Sequence, residues 1–140
     1  MTHIISHQFD INPVPAARPR VSRWSTYYPK KYTRFKKEME ALTGELSTTP
    51  CESLVVVSLR FKIKIPQSWS KKKRLERENT YCNNNSDVDN YIKAMLDSLN
   101  GVYFMDDRQV VEVFASKKYS NEPRILFTMM EMDNDKRGDV

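Results

Sequence analysis

Cysteine is scarce in this chain. There are two, Cys51 and Cys82, far apart and in no CxxC or Cys/His cluster. That argues against a disulfide framework and a zinc-nucleated fold, and the pair reads as reduced thiols of a cytosolic protein. The two histidines, His3 and His7, could share one side of a strand, but a metal centre needs more partners than they supply. No apolar run approaches the roughly 20 residues of a membrane span. The first residues, MTHIISHQFDINP, lack the charged region, apolar stretch and small-residue cleavage site of a secretory signal. No serine, tyrosine or cysteine stands in a nucleophile-plus-base motif, so no covalent enzyme intermediate is expected. Internal repeats and interdomain linkers are also missing. A cytoplasmic protein without membrane contact is the expectation.

What is present is an ordinary globular balance, 39% hydrophobic and 29% charged over 140 residues. Such a length buries about two-thirds of the unfolded surface, enough for a real core. We expect one domain over residues 1–132 and a polar, frayed tail over 133–140, DNDKRGDV. The net charge is +5, and its distribution says more than its size. From Ile11 to Lys37 there are eight basic residues and no acidic one; from Arg60 to Arg77 there are eight more against Glu76 alone. Between Asn83 and Asp107 the sign reverses, with Asp87, Asp89, Asp97, Asp106 and Asp107 against Lys93. Basic zones around an acidic centre suit a protein that holds a polyanion and sets metal ions against it. Charge runs on small proteins are also commonly mere solvated faces.

The periodicities predict an α+β domain. Ile5, His7, Phe9 and Ile11 alternate as a strand before Asn12-Pro13. Residues 13–28 read as an ordered loop with short extended pieces. Pro29 at a helix N1 position and the spacing of Phe35, Met39, Leu42 and Leu46 predict a helix over 29–46. Leu54–Ile65 is the strongest strand, with Val55, Val57, Leu59, Phe61, Ile63 and Ile65 on one face and Arg60, Lys62 and Lys64 on the other. Ser68 is expected to cap a short basic helix. A helix opening at Asp87 or Asp89 carries an apolar stripe of Val88, Ile92, Met95, Leu96 and Leu99 and ends at Asn100-Gly101. Val110–Ala115 and Arg124–Met132 are two further strands, expected to be neighbours through the Lys117–Pro123 turn.

The chemistry concentrates in SDVDNYIKAMLDSLNGVYFMDD, residues 86–107. Asp87 and Asp89 stand two apart where loop becomes helix, so both carboxylates can converge on one point. Convergent carboxylates suit Mg²⁺, which takes oxygen ligands and keeps several waters. Lys93, four residues on, rises over the same face and can stabilise charge on a phosphate. A three-turn helix and a short return could bring Asp106-Asp107 back to the first pair. Taken alone, D-x-D is more often an acid complementing a helix dipole. It also serves in many glycosyltransferases, which need a larger nucleotide-binding fold. Asp97 is more simply a partner for Lys93 than a site residue.

The segments PVPAARPRV, YYPKKYTRFK, IPQSWSKKKR, SDVDNYIKAMLDSLNG and VYFMDDRQVVEV occur in this order. Together they resemble the RusA family of Holliday-junction resolvases, often carried by phages and prophages, over about residues 9–131. The resemblance implies a small homodimeric α+β domain with a mixed sheet packed by helices, cutting four-way DNA junctions with a divalent metal. It matches D-[VIL]-D-N to Asp87, Val88, Asp89 and Asn90, the catalytic lysine to Lys93, and the essential second acid of the later pair to Asp107. One departure stands out: Asn83–Ser86 replaces the basic residue or Lys-Pro many members carry before the first acid.

The expected catalytic set is therefore Asp87, Asp89, Lys93 and Asp107, with the three acids holding Mg²⁺ (Mn²⁺ as a substitute) and no small-molecule cofactor. The expected DNA contacts are Arg18, Arg20, Arg23, Lys30, Lys31, Lys71, Lys72, Lys73 and Arg74. Trp24, Tyr27 and Tyr28 interleave with these cations as stacking platforms do, although Trp24 and Tyr28 could equally pack on the sheet. The expected partner is a four-way junction in DNA recombination and repair, in the bacterial host cytoplasm if the chain is phage-encoded. Other readings are a metal-dependent nuclease for different branched DNA and a non-catalytic DNA-binding module. A homodimer is expected because a junction needs two symmetry-related cuts, and VYFM (102–105) and ILFTMM (125–130) offer apolar material for its interface.

Overall fold

The computed structural model describes residues 3–132; the polar 133–140 segment lies outside the described residues. The elements are β1 (Ile4–Phe9), the hairpin strands β2 (Arg20–Val21) and β3 (Thr26–Tyr27), and α1 (Lys30–Gly44). They continue with β4 (Val55–Lys64), α2 (Lys71–Arg77), α3 (Val88–Leu99), a 3-10 turn (Asp107–Gln109), β5 (Val110–Ser120) and β6 (Arg124–Glu131). This is the expected α+β domain with a mixed sheet.

β4 organises it. Val55, Val57, Leu59, Phe61 and Ile63 are buried in strict alternation, because a pleated strand sends every second side chain to one face. The sheet runs β1-β6-β4-β5, antiparallel except for the parallel β4/β5 pair. β5 and β6 are thus not neighbours, contrary to the sequence expectation; they flank β4. Lys64 lies opposite Ser120 and Lys62 opposite Arg124, so residues 121–123 cross over the end of β4 instead of closing a hairpin. The most apolar strand takes the interior position, where both its edges are paired and its apolar row is best covered.

The buried face of the sheet, with Phe9, Ile125, Phe127 and Met129 beside the β4 row, packs under Tyr32, Phe35 and Met39 of α1 and Tyr91, Ala94, Met95 and Leu99 of α3. The α3 stripe is rotated from the expected one. Val88 is exposed, Ile92 and Leu96 are half-buried, and Tyr91 is in the core with its ring 5.4 Å from Phe61. Tyr91 escaped a hydrophobic pattern because its hydroxyl serves a polar partner (below) while its ring is buried. Two caps also differ: Pro29 is the N-cap of α1, and Ser70 rather than Ser68 caps α2, its hydroxyl accepting from the Lys73 N–H at 3.2 Å. Gly101, with φ +81°, reverses the chain after α3, a backbone region that only glycine enters freely.

The apolar surplus assigned to an interface is mostly core. Tyr103, Phe104, Ile125, Phe127 and Met129 are all buried within the monomer, leaving Met105 and Met130 outside. Among the described residues no helix is long and apolar enough to cross a membrane.

Candidate active site and nucleic-acid surfaces

Asp87 is the N-cap of α3 in extended backbone, yet its side chain accepts no capping hydrogen bond. The carboxylate is therefore not spent on helix N–H groups, while its place at the helix N-terminus still complements the dipole. Asp89 follows in the first turn, and both carboxylates are exposed. Lys93 lies one turn further along; its Nζ is 3.6 Å from Asp97, and both side chains are largely solvated. Asp97 is therefore the i,i+4 partner of Lys93, as its spacing indicated.

The lead-in to α3 is held from across the fold. Lys117, on β5, donates from Nζ to Asn84 Oδ1 at 2.7 Å and to the Ser86 carbonyl at 2.6 Å. Asn84 in turn donates to the Tyr91 hydroxyl at 2.8 Å. Lys117 was missed from sequence, where it sat in an expected turn; a strand running to Ser120 puts it beside Ser86 instead. Its ammonium sets positive charge just before Asp87, where Asn83–Ser86 carries none of its own. Asn90 is tied as well, its carbonyl accepting from the Ala16 N–H at 2.9 Å.

Asp106 and Asp107 divide their work. Asp106 caps the 3-10 turn in a full capping box, accepting from the Arg108 N–H at 2.9 Å while its own N–H donates to Gln109 Oε1. That backbone bond holds its carboxyl below the usual aspartate range, with the Asp107 side chain and the Arg108 charge adding to the effect. Asp107 makes no cap and is exposed. One chain does not bring Asp107 to Asp87 and Asp89. The return after Gly101 docks at the start of the sheet, with Cys51 N–H donating to the Tyr103 carbonyl and Gln109 bonding the Cys51 and Ser53 carbonyls. Ser86 sits at the level of Lys117, seven residues along β5 from Val110, or about 23 Å at strand rise. Among the described residues no three His, Cys, Asp or Glu side chains of one chain stand close enough to share a metal. The Cys51 thiol is pushed up by burial, away from thiolate chemistry.

The basic residues fall into three groups. Arg20 and Lys31 line a cavity of about 610 Å³ that Asn84, Ser86 and Tyr91 also line, next to the entrance of α3. Arg18 borders a second cavity with Asn90, Lys93 and Tyr28. Both belong to the same end of the fold as Asp87 and Asp89. The β2–β3 hairpin carries Arg23 and Trp24 at a tip closed by Ser22 and Ser25, and Trp24 is 85% exposed with Arg23 stacked 5.3 Å from its ring. Trp24 stands clear of the sheet, whereas Tyr28 is about half covered, its ring 5.8 Å edge-on from Tyr32 of α1. Lys30 opens α1 in solvent. Lys71, Lys72 and Lys73 are exposed on α2, with Lys73 over the Trp69 ring, while half-buried Arg74 donates to the Pro66 carbonyl at 3.3 Å and helps fix α2. Neutralising Lys71, Lys72 and Lys73 together should weaken DNA binding and reduce the slope of log K against log salt by about 0.9 per lost phosphate contact. Titrations at several salt concentrations read it; an unchanged slope would make α2 a plain solvated helix.

A small α+β domain with free carboxylates at a helix entrance, ringed by cations and an exposed tryptophan, has the make-up of a protein acting on nucleic-acid phosphates. Residues 10–130 match the endodeoxyribonuclease RusA family, and the chain belongs to it. It is also 31% identical over 129 residues to the uncharacterized protein YqaN of Bacillus subtilis strain 168, covering 86% of this chain and 91% of that protein. Its class is thus that of a DNA-cutting hydrolase.

Proposed function

We propose that the chain resolves four-way DNA junctions by paired hydrolytic nicks in a divalent-metal-dependent reaction. The observation that carries this is the pair of carboxylates, Asp87 and Asp89, left uncommitted at the clamped entrance of α3 beside a cation-lined cavity. Their exposed hard-oxygen donors fit Mg²⁺ or Mn²⁺, and as metal ligands they are joined by Asp107. A cation bound there supplies charge to polarise the phosphate and lower the pKa of a bound water. Lys117 keeps the acid-bearing loop in register, and Lys93, released from Asp97, offsets negative charge that develops on the phosphoryl oxygens. Arg18, Arg20, Arg23, Lys30, Lys31 and Lys71–Lys73 neutralise the arms, and Trp24 stacks on bases near the branch point.

A homodimer completes this reading. Asp107 belongs to the start of β5 and Asp87 to the level of its later half. Residues 79–82 cover the outer edge of β5 near Lys117–Tyr119, whereas residues 111–115 are exposed, with Val111 at 48% and Phe114 at 63%. An apolar, unpaired edge is a template for another strand. Antiparallel pairing of two such edges about a two-fold axis sets the start of one β5 against the later half of the other. The partner subunit's Asp107 then joins Asp87 and Asp89, and two sites arise in the symmetric relation a junction requires.

Incubation with a synthetic four-way junction and Mg²⁺ tests the function. Symmetric paired nicks are expected. Cutting of flaps and forks without pairing favours a general branched-DNA nuclease, and a mobility shift without cutting favours a binding module. Lys93→Ala should slow single-turnover cleavage by about 10²–10³ at unchanged metal dependence, the usual scale for an electrostatic stabiliser. Full rescue by added Mg²⁺ would reassign Lys93 to tuning metal affinity.

A further inference from the structure

The sheet has a second face that no helix covers, and its charge is one-sided. Arg60, Lys62 and Lys64 alternate along β4 away from the core. Register places Lys118 of β5 and Arg124 of β6 directly beside Lys62. Three adjacent strands thus bring a transverse row of cations across a longitudinal one. Arg60, Lys62, Lys118 and Arg124 line neither cavity beside α3, whereas Lys64, at the end of the strand, also borders the one lined by Arg20, Lys31 and Ser86.

We infer that this helix-free sheet face is a second nucleic-acid surface, holding the phosphate backbone of a DNA arm that leaves the α3 site past the Lys117–Ser120 end of β5, beyond the 111–115 edge given to the partner subunit. The inference rests on the functional reading above and adds to it where an arm runs.

Several features point to a polyanion. Cations on alternate residues of a strand are separated by two rises, about 6.6 Å, close to the spacing of successive phosphates along one nucleic-acid strand. The cations crowd one another: burial, then Lys118, Arg124 and Arg60, push the Lys62 ammonium below its ordinary range. Their neutral partners position them without discharging them. Lys62 donates to Asn79 Oδ1 at 3.1 Å, and Lys118 lies 4.8 Å from the Tyr81 ring centroid. Among the described residues Arg124 has an acidic partner, Glu122 at 3.4 Å, which is itself 88% exposed, while Arg60, Lys62 and Lys118 make no ion pair. Like charges held on a rigid ladder destabilise the free protein and are relieved when an anionic chain displaces their counterions. The surface is also smooth enough for a backbone to approach. Ser58 and Thr128 are small, and with Arg60 and Leu126 they line a shallow depression of about 350 Å³. Finally, Lys117 and Lys118 are consecutive on β5, so the first clamps the loop before Asp87 from one side of the sheet while the second projects on the other. The two surfaces share one strand end. A second copy of the chain is the weaker occupant, since apposed basic rows would repel.

The test is a triple substitution, Arg60→Ala, Lys62→Ala and Lys118→Ala, with Arg60→Glu as a separate single change at an exposed position. Binding to a long-armed four-way junction is measured in Ca²⁺ at several salt concentrations, with thermal melting to confirm folding. The triple variant should lose at least about 10-fold in affinity and lower the salt slope by about 2–3, with Arg60→Glu moving both in the same direction. Single-turnover cleavage of a junction with arms too short to reach the sheet should stay near wild type. Unchanged slopes in both folded variants overturn the inference, as does stronger self-association of the triple variant in sedimentation, which would make the face a dimer surface. A wild-type protein that binds and cuts long-armed junctions while the variants match it fails only this inference. A wild-type protein that neither binds nor cuts branched DNA fails the functional reading as well.

Discussion

Asp89→Asn should leave junction binding intact and remove cleavage, with the single-turnover rate falling by at least about 10³. The substitution is isosteric, so α3 keeps its first turn, and the amide still tolerates the helix dipole. What is lost is a formal charge and a hard oxygen donor at an exposed position that makes no structural bond. Metal-assisted hydrolysis draws several kcal/mol of transition-state stabilisation from the bound cation, which is the origin of that magnitude. Binding should hold or tighten, because one negative charge fewer faces the phosphates. Electrophoretic shift in Ca²⁺ and cleavage in Mg²⁺, on the same preparation, separate the two effects. Cutting within a few-fold of wild type would take Asp89 out of the metal site. A parallel loss of binding would make it a structural acid instead.

Much of the fold was legible because its signals are local. The β4 alternation, the α1 spacing and the Gly101 stop each follow from backbone geometry over a few residues. What failed was long-range. Nothing within residues 110–132 states that β5 and β6 flank β4, since strand order depends on which apolar row is best buried between neighbours. The short gap between them looks like a hairpin until β4 is known to occupy the space. Ser70 caps α2 where Ser68 was expected, since either serine satisfies the capping chemistry and sequence alone does not choose between them.

For the candidate site the division is similar. The exposure of Asp87 and Asp89 and the Lys93–Asp97 pair follow from spacing on one helix. Lys117 could not be found that way, because it meets Ser86 across 31 residues of sequence. The expected return of Asp107 within one chain also went astray for a physical reason. A 12-residue helix is about 18 Å long, and the chain after Gly101 docks on Cys51 at the far end instead of doubling back. A motif names the candidate acids; tertiary contacts give where each one stands.

The separation of Asp107 from Asp87 and Asp89 leads to the sharpest expected result, complementation between two dead proteins. On the proposed reading, Asp89→Asn and Asp107→Asn homodimers should each be inactive, since every site would lack one ligand. Mixing them by denaturation and refolding, or by co-expression with two tags, yields heterodimers. If each site takes Asp87 and Asp89 from one subunit and Asp107 from the partner, the heterodimer has one site carrying both substitutions and one with all its acids native. That species should nick a four-way junction at close to half the wild-type first-cut rate and then stall, giving nicked rather than resolved product. If all three acids acted within one chain, every site in the heterodimer would still carry one substitution, and mixing would restore nothing. The gain over either homodimer, from background to within a few-fold of wild type, should be about 10² or more, given the loss expected for each single change. Disrupting the exposed β5 edge with Val113→Pro gives the matching control, because proline removes a ladder donor while strands tolerate it at an edge. Together with light scattering that reports a monomer, loss of cleavage in that variant ties the chemistry to the pairing of two β5 strands. A monomeric Val113→Pro protein that still cuts at wild-type rate would return the whole site to a single chain.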